Sequence, residues 1–114
     1  MALTITTREV QGIEIIELQG RLVLGDESHA FREKVKDMLA AGKRKIVLNV
    51  ADVSYIDSGG LGALVATFHS VRSQGGTLKL ANLGSKFQEV LQLTKLMTVF
   101  DTYSSEAGAV ESFR

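Results

Sequence analysis

Apolar and polar positions change their period several times along this chain, and each change marks an element. Leu3 to Val10 and Ile13 to Leu18 are rich in β-branched residues, and Gln11-Gly12 between them is a turn signal, so the chain opens with a predicted hairpin. Gly20 closes the second strand, and Gly25-Asp26-Glu27-Ser28 offers helix-starting residues with acids in the first turn. Phe31, Val35, Met38 and Leu39 then recur at helical spacing, and Gly42 marks the stop.

Ile46-Val47-Leu48-Asn49-Val50 is short and almost wholly apolar, as a strand covered on both faces should be. Leu61, Leu64, Val65, Phe68 and Val71 mark a second amphipathic helix, which Gly75-Gly76 closes. Its small residues Ala63, Ala66, Thr67 and Ser70 are expected to form an outer face open to a partner. Thr77 to Ala81 alternates like a strand. Lys86 to Leu96 is helical in period, Thr98 to Tyr103 reads as a last strand, and Ser104 or Ser105 caps a short helix ending near Phe113.

The order ββαβαβαβα predicts an α/β fold in one domain over residues 1–114. A mostly parallel sheet of four to five strands would carry about four helices, with the antiparallel hairpin leading in. Functional loops of such sheets lie beyond the carboxyl ends of the strands. Leu22 to Ser28, Asp57 to Gly60 and Asn82 to Ser85 occupy those positions and are expected on one shared face.

Composition removes several functional classes. Thirteen basic residues balance thirteen acidic ones, so no net field favours nucleic acid or an anionic membrane. The one basic run, Lys43-Arg44-Lys45, follows a predicted helix, where cations offset the negative end of the dipole. Cysteine is absent, and His29 and His69 stand alone, so neither a disulfide nor a metal site is expected. The start of the chain has no signal-peptide pattern, and no apolar run reaches the ~20 residues of a membrane helix. A cytoplasmic location without membrane insertion is the expectation.

Ser54-Tyr55-Ile56-Asp57-Ser58-Gly59-Gly60-Leu61-Gly62 concentrates the candidate chemistry. It places one serine where an apolar strand gives way to a helix. A nucleophile elbow needs a glycine two residues before the serine, and Ile56 is there instead. His69 lies roughly 16 Å along the same helix and cannot serve Ser58 as a base. The glycines lack the Gly-Lys of a phosphate-binding loop. Two roles stay open. Asp57 or Ser58 caps the helix, or Ser58 is a phosphorylation target whose phosphate would meet the amides of Gly60 and Leu61.

Ile46 to Val50, then Val53, then Ile56-Asp57-Ser58-Gly59-Gly60-Leu61-Gly62 resembles the central motif of the STAS domain family, in particular its bacterial anti-sigma factor antagonists. Gly20-Arg21-Leu22 and Gly75-Gly76-Thr77-Leu78 fit the same pattern. The resemblance implies a STAS-like fold and a non-enzymatic partner-switching protein without a cofactor. The unphosphorylated form would bind an anti-sigma factor that is also a serine kinase, releasing a sigma factor. Phosphorylation would break that contact, and a serine phosphatase would reset it. By position, the resemblance makes Ser58 the phosphoacceptor and places partner contacts at Asp57, Gly59, Gly60, Leu61, Gly62 and Ala63, with Asp26 and Glu27 nearby. The chain departs from the pattern at Gly59, where many antagonists have Ser or Thr, and the loop should be more flexible for it. It departs again at Val23, where Asp is frequent and Asp26 would substitute. STAS modules also serve as accessory or scaffold subunits of transporters and stress-signalling complexes, which is the alternative function.

Overall fold

The computed structural model describes residues 3–114. Five strands form one sheet: β1 (Leu3–Val10), β2 (Ile13–Leu22), β3 (Lys45–Ile56), β4 (Thr77–Ala81) and β5 (Asp101–Tyr103), in that spatial order. Only β1 and β2 run antiparallel, and the remaining pairs are parallel. The helices are α1 (Asp26–Ala40), α2 (Ser58–Ser73), α3 (Ser85–Leu93) and α4 (Glu106–Glu111). The predicted order of elements therefore holds throughout. None of the described helices is long and apolar enough to cross a membrane.

Alternation along the strands feeds two cores. Ile16, Leu18, Leu22, Ile46, Leu48 and Val50 pack under α1, α2 and α3, against Phe31, Val35, Leu64 and Leu91. Ile13, Ile15, Val47 and Ala81 point the other way, into a smaller core that Ala109 and Val110 of α4 close. A helix of six residues has no stability of its own in water, so α4 is held by this packing and by its ends. The Ser105 hydroxyl accepts from the Gly108 amide at 2.9 Å, and Arg8 pairs with Glu106.

Several boundaries differ from expectation, each for a local reason. β2 passes through Gly20 to Leu22, and β3 continues six residues beyond Val50 to Ile56, because the two strands go on pairing as far as Leu22 and Ile56. α3 stops at Leu93 rather than Leu96. The Thr94 hydroxyl donates back to the Val90 carbonyl at 2.7 Å, and Lys95 turns left-handed at φ 60°. The last strand shortens to Asp101–Tyr103 because Phe100 dives into the larger core against Phe68, with ring centroids 5.1 Å apart. Lys79, the charged residue of the alternating Thr77–Ala81 strand, is only 8% exposed, because α4 covers it. Its ammonium donates to the Ser112 hydroxyl at 2.7 Å and lies 4.4 Å from the Phe113 ring centre. In the basic run, Arg44 donates to the Leu39 carbonyl near the end of α1 at 3.0 Å, while Lys43 pairs with Glu9 and Glu14.

Candidate functional site

β3 delivers Asp57 to the mouth of α2, where the first helical amides have no partners within the helix. The Asp57 side chain fills that role: it accepts from the Gly60 amide at 2.7 Å, and its backbone carbonyl accepts from Leu61 at 2.9 Å. Of the two capping candidates, the cap is thus Asp57, and Ser58 is the first helical residue. The same carboxylate also accepts from the Leu24 amide, at 3.1 and 3.2 Å to its two oxygens. One side chain therefore fastens the β2–α1 loop to the start of α2. These amides, Gly60 first and Leu24 second, hold the Asp57 carboxyl below the usual carboxylate range.

The two glycines after Ser58 are required by close approach. A β-carbon on Gly60 would stand 2.0 Å from the Leu22 carbonyl oxygen, and one on Gly59 would stand 2.5 Å from the Leu24 β-carbon. The expected flexibility at Gly59 is corrected accordingly: the position is tightly packed beneath Leu24. Gly62 has open space around it. Across the seam, the Ser28 hydroxyl donates to the Val23 carbonyl at 2.6 Å and pins the loop from the other side.

Ser58 is exposed, and its hydroxyl takes no part in the network that Asp57 builds. The amides expected to meet a phosphate there, Gly60 and Leu61, are already committed to Asp57. Leu24 stands beside this site with 75% of its surface exposed. No periodicity flagged it, since a lone leucine between Val23 and Gly25 belongs to no stripe; only the position of its loop pointed there. Asp26 is exposed and Glu27 half-buried in the first turn of α1, and neither has a hydrogen bond to Asp57 or Ser58 among the described residues.

The expected outer face of α2 is corrected at two of its four positions: Ser70 is exposed and Ala66 half-buried, but the other two are covered. Ala63 and Thr67 are each only 3% exposed, because that side of the helix packs against α1. Small side chains there let the two helices come close. Ala63 lies at the bottom of a hollow of about 550 Å³ that Leu24, His29, Arg32 and Gly59 border, and Gly60 is buried outright. The exposed residues of the motif are Ser58 and Gly62, with Asp57, Gly59 and Leu61 half-buried. The Asn82–Ser85 loop is not drawn into the same cluster. It leaves β4 at Ala81, which pairs with Asn49, well short of Ile56.

The sequence and the fold have counterparts. The chain is similar to the anti-sigma-B factor antagonist of Bacillus subtilis, 38% identical over 80 residues that make up 70% of this chain and 72% of the relative. The solved structure of protein TM1081 from Thermotoga maritima superposes with a TM-score of 0.82 at 33% identity, over 92% of this chain and 84% of that one. The phosphorylated form of the Bacillus cell-fate determinant SpoIIAA shares the fold at 20% identity, with a TM-score of 0.76 over 97% of this chain and all of that one. The STAS domain profile matches residues 4–109. By sequence profile and by fold, the chain belongs to the STAS domain family.

Proposed function

We propose that this protein is an anti-sigma factor antagonist whose binding is switched at Ser58. The observation that carries the reading is a free, exposed hydroxyl on a fixed ledge. Asp57 and the two packed glycines hold the backbone, and the hydroxyl itself has no structural duty. Unmodified, this surface with the exposed Leu24 beside it docks onto an anti-sigma factor that is also a serine kinase, and a sigma factor is released. The kinase brings ATP, Mg²⁺ and the base, so the chain needs no catalytic group of its own.

Transfer of phosphate to Ser58 adds about −1.5 to −2 charges. The Gly60 amide is taken by the Asp57 carboxylate and the Leu61 amide by the Asp57 backbone carbonyl, so the added charge stands beside an existing negative one with those two donors already engaged. Repulsion and desolvation then fall on the docked interface, and the partner leaves. A serine phosphatase restores the hydroxyl. The reading places the protein in the cytoplasm, with its kinase.

Intact-mass spectrometry after incubation with the cognate kinase and Mg-ATP tests the site. One added phosphate, absent in Ser58→Ala, is expected, and Ser58→Ala should remain bound to the kinase in the presence of ATP. Phosphate on any other residue would sink the assignment.

A further inference from the structure

β3 outruns its neighbour. Its pairing with β4 ends at Asn49 and Ala81, yet the strand runs on to Ile56 with β2 alone beside it. β4 cannot follow, because Asn82 adopts a left-handed φ of 61° and the chain turns into α3. Two register shifts place extra residues on β3 here, which bends the strand and opens a gap.

Every backbone amide and carbonyl of a strand needs a partner or water. On this stretch the Ala51 amide takes the Asn49 side-chain oxygen at 3.0 Å. Among the described residues, no backbone hydrogen bond joins positions 52–56 to the 82–85 loop or to α3.

A groove of about 240 Å³ follows this open edge. Val53 and Ile56 form one wall, Phe87 and Val90 of α3 form the other, and Lys86 and Glu89 stand at the rim. Those two opposite charges are one helical turn apart, and neither has an ion-pair partner among the described residues. Helical neighbours at that spacing have β-carbons about 5–6 Å apart. Alternate residues on one face of a strand are separated by about 6.5 Å. An extended chain with an acid and a base two residues apart therefore matches the pair. A helix would offer the edge no free backbone groups.

We propose that the open edge of β3, from Ala51 to Ile56, accepts an extended segment of a partner polypeptide as an added strand, with an acidic and a basic residue two apart facing Lys86 and Glu89. This site is independent of the hydroxyl switch at Ser58.

The probe is the blocked heptapeptide Thr-Val-Asp-Val-Lys-Val-Thr at millimolar concentration, read by amide hydrogen exchange and NMR titration of the whole chain. Slowed exchange confined to Ala51–Ile56 and its groove is expected, and Ser58→Ala should respond as the parent does. The double variant Lys86→Glu, Glu89→Lys, at two exposed positions, should bind the peptide about tenfold or more weakly. It should bind the peptide with Asp and Lys exchanged as well as the parent binds the original. No change at Ala51–Ile56 with either peptide overturns the proposal, as does indifference of the parent to the exchange. Protection of the same amides by self-association without peptide would assign the edge to a second copy of the chain and would also overturn it.

Discussion

The Asp57 carboxylate holds the backbone amide of Leu24, a residue 33 positions earlier in the chain, while it caps α2 through Gly60. Two loops that leave different strands thus become one rigid surface. Asp57→Ala should leave the fold intact but lower the melting temperature by several degrees, with faster amide exchange at Leu24 and Gly60. Unchanged exchange at Leu24 would show that the loop is held by something else.

The same contact sets an acid dependence. A carboxyl whose folded value lies below its ordinary one stabilises the fold above that ordinary value, and the contribution disappears as pH falls through the folded value. The stability gap between the parent and Asp57→Asn should therefore be full at neutral pH and close below about pH 4. Urea melts across the acid range measure it, and a gap that does not vary with pH would contradict this origin.

Three glycines of the motif should rank by the space around them. Gly60→Ala forces a β-carbon against the Leu22 backbone and should cost about 1–3 kcal/mol or more. Gly59→Ala meets the α- and β-carbons of Leu24, so relief requires the β2–α1 loop to move against its bonds to Asp57, and the cost should fall between the other two and appear with displacement of that loop. Gly62→Ala meets nothing and removes a helix-interior glycine, so it should stabilise by about 0.5–1 kcal/mol. Denaturant midpoints for the three variants give the order directly.

Ser58→Ala should change stability by no more than about 0.5 kcal/mol, the range of a surface substitution away from structural features. A larger loss would mean that the hydroxyl has a structural partner in solution, and the separation of switch from scaffold would fail.

Lys95 occupies the left-handed position after α3, where the Leu96 amide bonds to the Leu91 carbonyl at 2.7 Å. Two other helices end the same way with glycine, at Gly42 and Gly75. Lys95→Gly relieves a conformation that costs a side-chain-bearing residue about 1–2 kcal/mol, offset in part by the greater freedom of glycine in the unfolded chain. A rise in melting temperature is expected in calorimetry.

These helix ends show what sequence can and cannot reveal. The stops at Gly42 and Gly75 were legible because glycine advertises a left-handed backbone, whereas Lys95 adopts it without any compositional sign. The start of α2 was legible as a strand-to-helix junction, but choosing between Asp57 and Ser58 as its cap required coordinates. Periodicity placed Leu64 and Val71 in the core. It misplaced Ala63 and Thr67, because a small side chain has the same weak hydropathy in a tight helix seam as on an open surface. Lys79 was hidden for the opposite reason: a charge in a strand signals solvent until a C-terminal helix is known to lie over it.

Since Asp57 fastens the ledge and the Ser58 hydroxyl bonds to nothing in it, cohesion and surface chemistry fall to separate neighbours. A change at 57 loosens the join between the two loops, whereas on the proposed reading a change at 58 alters only what the domain presents to its partner. On that reading, single substitutions at 58 can remove or re-tune the signal and leave the fold standing.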